Sequence, residues 1–232
     1  MHWYARHFKQ QSADLLNQIV IASYFSEHTK IPMAKVLVLF AHPKYERSRV
    51  NRRLVEQIKH HEEVTFHDLY QQYPDFNIDV VLEKNLLTNH DVIIWHHPFY
   101  WYSCPPLMKQ WIDVVLEYNW AYGPKGNALQ GKQVLSVITT GGTPEVYCAQ
   151  GNNNYSVNEF LRPFEQTARL CGMDYLPPFA VMGTYQLSEV DLDTYAEKFN
   201  KILTLLKNGE VDLSNSSRFM NDLPALKNTT SS

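Results

Sequence analysis

The sequence is poor in cysteine, balanced in charge and without a long apolar run. Its 232 residues include only three cysteines, an odd number with no C-x-x-C pair, which argues against a disulfide framework or a cysteine zinc site. Lys and Arg number 21 against 24 Asp and Glu, and a net charge of -3 offers no basic field that could hold nucleic acid. The apolar runs fall far short of the roughly 20 residues of a membrane span. We therefore expect a cytoplasmic protein that binds no nucleic acid.

A glycine signature for nucleotides is also missing after the first apolar run. The segment 41–51 has neither the G-x-G-x-x-G of a dinucleotide site nor the Gly-Lys-Ser/Thr of a P-loop, which disfavours both. It ends in Ser48, Arg49 and Asn51, where a helix is expected to begin and free N–H groups can hold one phosphate. The alternative is an ordinary helix cap beside a solvated arginine. His42, at the end of the apolar run, is ambiguous in the same way.

What the sequence contains is a regular alternation of apolar strands and amphipathic helices. Strands are predicted at 36–41, 64–69, 92–96, 134–140 and 175–182, and helices at 50–58, 80–87, 105–115, 157–171 and 192–206. This alternation predicts an α/β fold with a doubly wound, five-stranded parallel sheet and helices on both faces. Ligands of such sheets bind beyond the carboxyl ends of the strands. The loops after the first, third and fourth strands are therefore the candidate site.

The two ends of the chain differ from this central part. Residues 1–32 are predicted to be an N-terminal extension with a short helix that carries Leu15, Leu16, Ile19 and Val20. They lack the small-residue cleavage site of a signal peptide, and Met33 is an alternative start of the natural protein. Residues 33–207 are predicted to form one domain. Residues 208–232, rich in Ser and Asn, are predicted to be a polar C-terminal tail.

The loop after the third strand is rich in aromatic residues. Phe99, Tyr100, Trp101 and Tyr102 stand between prolines, and they cannot all face one core, so some are expected to line a pocket for a planar ligand. The alternative is that they fill the core or an oligomer contact. The adjacent pair His96 and His97 suggests a metal at first sight. Neighbouring strand residues point to opposite faces and no carboxylate stands at ligand spacing, so no metal site is predicted.

The loop after the fourth strand carries paired glycines. Gly141 and Gly142 follow Thr139 and Thr140, and two glycines at a strand end allow the backbone to approach a flat ligand closely and to present N–H groups to it. Tyr147 places a hydroxyl nearby in the sequence. The alternative is a plain turn.

Taken in order, these segments resemble one family, the flavodoxin-like NAD(P)H quinone reductases, which include DT-diaphorase and the ancillary oxidoreductases of glutathione-gated potassium-efflux systems. The resemblance runs from about Lys35 to Leu206 through Ala41-His42-Pro43 with 48–51, Tyr73-Pro74-Asp75-Phe76, 97–109, Trp120-Ala121-Tyr122-Gly123, 139–142 and Gln150-Gly151. The ancillary group is the nearer match, through the segments 73–79, 171–172 and 176–180.

The resemblance implies a tightly held flavin, FMN in the nearer group with FAD as the alternative, in a homodimer whose sites lie at the subunit interface. By matching position, the phosphate end would be bound by His42, Ser48, Arg49, Val50 and Asn51. The isoalloxazine ring would be framed by Pro98, Phe99, Tyr100, Trp101, Thr139, Thr140, Gly141 and Gly142.

The activity implied is NAD(P)H:quinone oxidoreduction. NAD(P)H would pass a hydride to the flavin, leave, and be replaced by a quinone that takes two electrons together. Tyr147 and Asn153 follow the paired glycines closely enough that both are expected to face the open side of the ring. The diaphorase branch carries a histidine six residues after its tyrosine, where this chain carries Asn153. An amide hydrogen-bonds but does not shuttle a proton near neutral pH. Tyr147 is therefore the expected catalytic hydroxyl, and Asn153 is expected only to orient the substrate.

Two other functions stay open at this point. The nearer group implies a regulatory subunit, peripheral at the inner membrane face, that binds and activates a potassium-efflux antiporter. A flavodoxin-type single-electron carrier usually has a strongly acidic face, and a net charge of -3 speaks against it.

Overall fold

The computed structural model describes residues 33–213 and 218–229. The helix predicted within residues 1–32 lies outside the described residues. Six strands form the sheet that the described part contains: β1 Val36–Phe40, β2 Val64–Asp68, β3 Val92–Pro98, β4 Gln133–Thr139, β5 Asp174–Tyr175 and β6 Phe179–Val181. The helices are α1 Arg49–Ile58, α2 Leu69–Gln72, α3 Val80–Thr88, α4 Pro106–Val115, α5 Val157–Phe160, α6 Arg162–Leu170 and α7 Glu189–Asn208.

The sheet confirms the predicted doubly wound topology. All its strand pairs are parallel, and the strand order is β2-β1-β3-β4-β5, with β6 also paired to β4. The chain reverses its direction of travel across the sheet between β1 and β3, which is the position where ligands of such folds bind. The edge that carries the carboxyl ends of β1, β3 and β4 is therefore the candidate site.

The fifth strand position differs from the prediction of one continuous strand over 175–182. Two short strands, β5 and β6, occupy it, and Pro177 and Pro178 lie between them. Proline has no N–H to donate to the neighbouring strand, so the pairing with β4 is interrupted there. Both short strands still pair with β4, so the sheet keeps five positions.

Both faces of the sheet are covered by helices. Leu37 and Leu39 of β1 point to one face, in the same cluster as Trp111 of α4 and Phe164 of α6. Val36, Val38 and Phe40 point to the other face, in a cluster with side chains of α1 and α7. Because both faces of the sheet are buried, apolar residues do not alternate with polar ones in β1 or in the first part of β3. This explains the continuous apolar sequence of these strands.

Local signals determine where the helices begin and end. Ser188 caps α7 through a capping box with Asp191. The helical segment predicted over 157–171, which Pro163 is expected to kink or restart, divides at Leu161 into α5 and α6, with Pro163 in the first turn of α6, where proline is tolerated. Leu69, predicted to end the second strand, instead begins α2 behind the Asp68 cap.

Part of the segment predicted as a polar tail is packed on the domain. Met220, Leu223 and Leu226 are buried in the α1/α7 cluster, and their spacing of three places them on one side of the short turns there. The side-chain amide of Asn221 accepts a hydrogen bond from Ala180 N at 2.9 Å and donates one to Ala180 O at 3.0 Å. This contact covers the open edge of β6.

Candidate functional site

The three predicted loops meet at the carboxyl edge of the sheet and line one cleft of about 660 Å³. The cleft contains all the predicted cofactor residues except Thr140 and Gly142. Thr140 is buried below it and donates a hydrogen bond from its hydroxyl to Gly142 O at 2.6 Å. Gly142 lines a second, adjacent cleft of about 370 Å³. The two clefts share Phe99 and Trp101.

One end of the larger cleft is the N-terminus of α1. Ser48 is the N-cap, and its hydroxyl accepts a hydrogen bond from Asn51 N at 3.1 Å. Among the described residues, none accepts a hydrogen bond from the amides of Arg49 and Val50. These two N–H groups and the positive end of the helix dipole suit a phosphate.

Asn51 holds this helix end against two strand ends. Its amide nitrogen donates to Ser48 Oγ at 2.9 Å and to Thr139 Oγ1 at 3.1 Å. Its Oδ1 accepts from His96 Nε2 at 2.9 Å. Asn51 and His96 are both buried, so this network fixes the helix relative to β3 and β4 before any ligand arrives.

The histidines at this edge are neutral donors and not a metal cluster. His42 Nδ1 accepts a hydrogen bond from Lys44 N at 3.1 Å, so the proton of the neutral ring is on Nε2. Burial lowers the pKa of His42, which favours this neutral form. Within the described residues no group of three or more His, Cys, Asp or Glu is placed to hold a metal ion.

The guanidinium of Arg49, at the α1 end of the larger cleft, forms an ion pair with α7. One guanidinium nitrogen, Nη2, contacts Glu189 Oε1 at 2.6 Å and Leu187 O at 3.4 Å, and the backbone N–H of Arg49 has no acceptor among the described residues. Lys44 and Arg47 line the same cleft, and no described residue forms a salt bridge with either. Both lie in the segment 41–51, but the sequence analysis gave neither of them a role.

The aromatic loop holds Trp101 out of the core on a strained turn. Trp101 and Tyr102 have φ of 48° and 64°, and Ser103 N donates to Tyr100 O at 3.0 Å, the pattern of a type I′ turn. Bulky residues with positive φ each cost about 1–3 kcal/mol. Phe99 is buried, as the core alternative predicts for that residue, but Trp101 is 91% exposed. The fold therefore keeps a large aromatic ring at the cleft at some cost in stability.

The smaller cleft contains the two predicted catalytic residues, Tyr147 and Asn153. Tyr102 donates from its hydroxyl to Asn153 Oδ1 at 3.2 Å, and the Tyr147 ring packs edge-on against Phe99 at 5.9 Å. Burial, reinforced by the neighbouring Tyr102, raises the pKa of Tyr147. Its hydroxyl is therefore protonated at neutral pH and able to donate a hydrogen bond or a proton.

Thr184 and Tyr185 also line the larger cleft, and the sequence did not indicate them. They follow β6, whereas the sequence pointed to the loops after the first, third and fourth strands. The whole site is thus a cleft that has the N-terminus of α1 at one end, where a phosphate could bind, and aromatic and glycine residues along its sides. Such a donor set fits a phosphorylated, planar ligand.

Comparison with known proteins agrees with this geometry. A family model described as a flavodoxin-like fold matches residues 34–204. The glutathione-regulated potassium-efflux system ancillary protein KefG of Salmonella paratyphi B is 46% identical over 170 residues, 73% of this chain and 93% of that protein. General stress protein 14 of Treponema denticola, solved in complex with FMN, is 40% identical with a TM-score of 0.71, over 74% of this chain and 99% of that one. An NADPH-quinone reductase of P. pentosaceus is 32% identical with a TM-score of 0.67, over 72% and 96% of the two chains.

Proposed function

Because this chain belongs to the family with the flavodoxin-like fold, we propose that it is an FMN-dependent NAD(P)H:quinone oxidoreductase with a two-step, ping-pong hydride transfer. The observation that carries the proposal is the continuity of one cleft from the α1 N-terminus to Trp101 and Gly141. FMN is a phosphate joined to a flat ring, and the cleft offers a cradle for each part. The bound FMN of a relative that is 40% identical supports the same cofactor, and FAD is the alternative.

The residues of the larger cleft bind and orient the cofactor in this proposal. The amides of Arg49 and Val50 and the Nε2–H of His42 would hold the phosphate, with Lys44 and Arg47 balancing its charge. The strand-end loops 98–101 and 139–142 would frame the ring. The amides of Gly141 and Gly142 have no acceptor among the described residues and would donate to its polar edge. FMN, when bound, supplies the hydride acceptor that no protein side chain can provide.

The residues of the smaller cleft act on the substrates. This cleft shares Phe99 and Trp101 with the larger one, so a nicotinamide or a quinone placed there would lie beside the ring. The protonated Tyr147 hydroxyl would donate to the negative charge that develops during reduction. Asn153, held by the Tyr102 hydroxyl, would orient the substrate, since an amide carries no transferable proton near neutral pH.

We further propose a homodimer in which a second chain completes each site. Trp101 and Tyr102, which line the smaller cleft, are 91% and 46% exposed, and exposed aromatic surface of this kind commonly meets a partner subunit. Sedimentation that shows a monomer with full activity would contradict this proposal.

A second candidate function is a regulatory subunit of a potassium-efflux antiporter. The observation that favours it is the 46% identity with a protein whose name is potassium-efflux system ancillary protein. Within the described residues no helix is long and apolar enough to cross a membrane. Peripheral association with the inner membrane face is part of this candidate function. The cytoplasmic location stays a prediction.

The decisive experiment is spectroscopic. The purified protein, after removal and re-addition of FMN, should show a flavin spectrum at one FMN per chain, and anaerobic NADH or NADPH should bleach it. A quinone should then restore it. Protein that binds neither FMN nor FAD would refute the proposal, whereas a bound flavin that no pyridine nucleotide reduces would favour the regulatory role. Co-purification with an antiporter tests that role directly.

A further inference from the structure

The loop between β6 and α7 is held rigidly beside the glycine loop of the cleft. Three backbone hydrogen bonds join the two segments: Thr140 N to Val181 O at 2.9 Å, Gly183 N to Gly142 O at 2.9 Å, and Thr184 N to Thr140 O at 3.0 Å. The following turn is closed by Gln186 N, which donates to Gly183 O at 2.8 Å. Backbone hydrogen bonds therefore hold the loop in place on both sides of Tyr185.

The Tyr185 ring lies against Gly141. A Cβ added to Gly141 would lie 2.7 Å from Tyr185 Cε2, closer than any ordinary contact, so the ring and the glycine backbone are in direct contact. The residue Tyr185 is nevertheless 89% exposed. Burial and the nearby Tyr185 hydroxyl both raise the pKa of Tyr100, which agrees with the two tyrosines lining one cleft from different loops.

A rigidly held, exposed aromatic ring at a cleft is unusual unless a ligand covers it. An exposed side chain on a flexible loop can move with that loop to a less exposed position. Here the backbone hydrogen bonds hold the loop in place, so Tyr185 stays exposed. Trp101, 91% exposed on its strained turn, has the same character on another wall of the same cleft. Two fixed aromatic rings of this kind offer stacking surfaces for one planar ligand.

We propose that Tyr185 is a flavin-ring contact, and that the loop after β6 is a fourth wall of the cofactor site. This inference rests on the proposed FMN function and adds a residue for which neither the sequence motifs nor the matching positions gave a role. Tyr185 covers the site from the side of Gly141, whereas Trp101 covers it from the loop after β3. The contact is with the ring and not with the phosphate, which the α1 N-terminus holds.

The experiment measures the affinity of the apo-protein for FMN and for riboflavin by the change in flavin fluorescence. Tyr185→Ala should weaken both ligands by about ten-fold, the loss of about 1.4 kcal/mol of stacking. The loss should be equal for the two ligands because riboflavin lacks only the phosphate. Tyr185→Phe keeps the ring and should stay within about three-fold of the parent.

Tyr118→Ala is the matched control. Tyr118 is also exposed, at 60%, and lies against a glycine, since a Cβ on Gly123 would be 2.5 Å from Tyr118 Cε2, but it lines neither cleft. Its flavin affinity should equal that of the parent. Sedimentation and circular dichroism of each variant show whether assembly or folding has changed.

Each other outcome overturns the inference. Unchanged affinity in Tyr185→Ala would show that the ring does not touch the flavin. A loss for FMN without a loss for riboflavin would place Tyr185 at the phosphate. A change only in the KM for NADPH or quinone would assign it to the second substrate. Parent protein that binds no flavin at all would instead overturn the proposed function itself, and the two failures are thereby distinguished.

Discussion

Two adjacent buried histidines should make this protein sensitive to mild acid. His96 and His97 lie near the carboxyl end of β3, beside the candidate site, and each is fully buried. His97 donates from Nδ1 to Pro98 O at 3.0 Å, and the His96 ring donates from Nε2 to Asn51. Their other ring nitrogens, His96 Nδ1 and His97 Nε2, have no partner among the described residues. A second proton would have to be buried without an acceptor.

The direction and size of the effect follow from the two pKa values. Burial lowers the pKa of His96 to about 3, helped by His97 and His42, and lowers that of His97 to about 4. In the unfolded chain a histidine titrates near 6.5. Between these values the unfolded state binds protons that the folded state does not, so stability is complete above about pH 6.5 and falls as the pH falls. Each histidine contributes a slope of up to about 1.4 kcal/mol per pH unit.

Chemical denaturation between pH 4.5 and 7 measures this slope. We expect the free energy of unfolding to decrease by up to about 2.7 kcal/mol per pH unit below pH 6 from the two histidines together. His97→Phe should roughly halve the slope, because it removes one titrating ring and keeps the aromatic packing that His97 makes with Phe164 at 5.5 Å. His60→Phe, at an exposed histidine, is the control and should keep it.

Equal slopes for the parent and His97→Phe would refute the reasoning, since the difference between them isolates one buried ring. A stability that rises as the pH falls from 6.5 to 4.5 would do so as well.

Two further predictions concern the site residues. Asn51→Ala should lower the free energy of unfolding by about 2–4 kcal/mol, because it leaves the buried His96 Nε2–H without its acceptor. Combining Asn51→Ala with His96→Leu should recover about 1–2 kcal/mol of that loss in a double-mutant cycle. Strict additivity of the two substitutions would contradict the hydrogen-bond network. Tyr147→Phe should slow turnover about ten-fold or more with flavin still bound, whereas Asn153→Ala should raise the KM with little change in kcat. Stopped-flow measurement of both half-reactions checks this, and the opposite pattern would reverse the two roles.

The strand pattern and the loop chemistry could be predicted from the sequence because they depend on local properties. The continuous apolar runs of β1 and β3 follow from burial on both faces, and the carboxyl ends of parallel strands must meet at one edge. That edge brings Ser48, Trp101 and Gly141 together without any knowledge of side-chain contacts. The prediction of one continuous fifth strand over 175–182 was wrong, although Pro177 and Pro178, which have no N–H to donate to a neighbouring strand, carried the signal for its division.

Other features depend on which groups compete for the same partner after the chain has folded. Arg49 lies in a phosphate motif, yet its guanidinium pairs with Glu189, 140 residues away. Met220 lies in a Ser- and Asn-rich segment, yet it is fully buried against the sheet. No window of sequence around either residue contains the partner that decides its position.

The candidate site shows the same division. The amino-acid sequence by itself determined the parallel sheet, the edge that carries the candidate site and most of the cleft lining, because periodicity and strand direction are properties of short segments. The tertiary structure alone decided that Thr184 and Tyr185 complete the cleft, because the hydrogen bonds of the β6 loop to Thr140 and Gly142 form only when β4 and β6 lie side by side. Contacts between segments distant in the chain are selected by packing, and packing exists only in the folded protein.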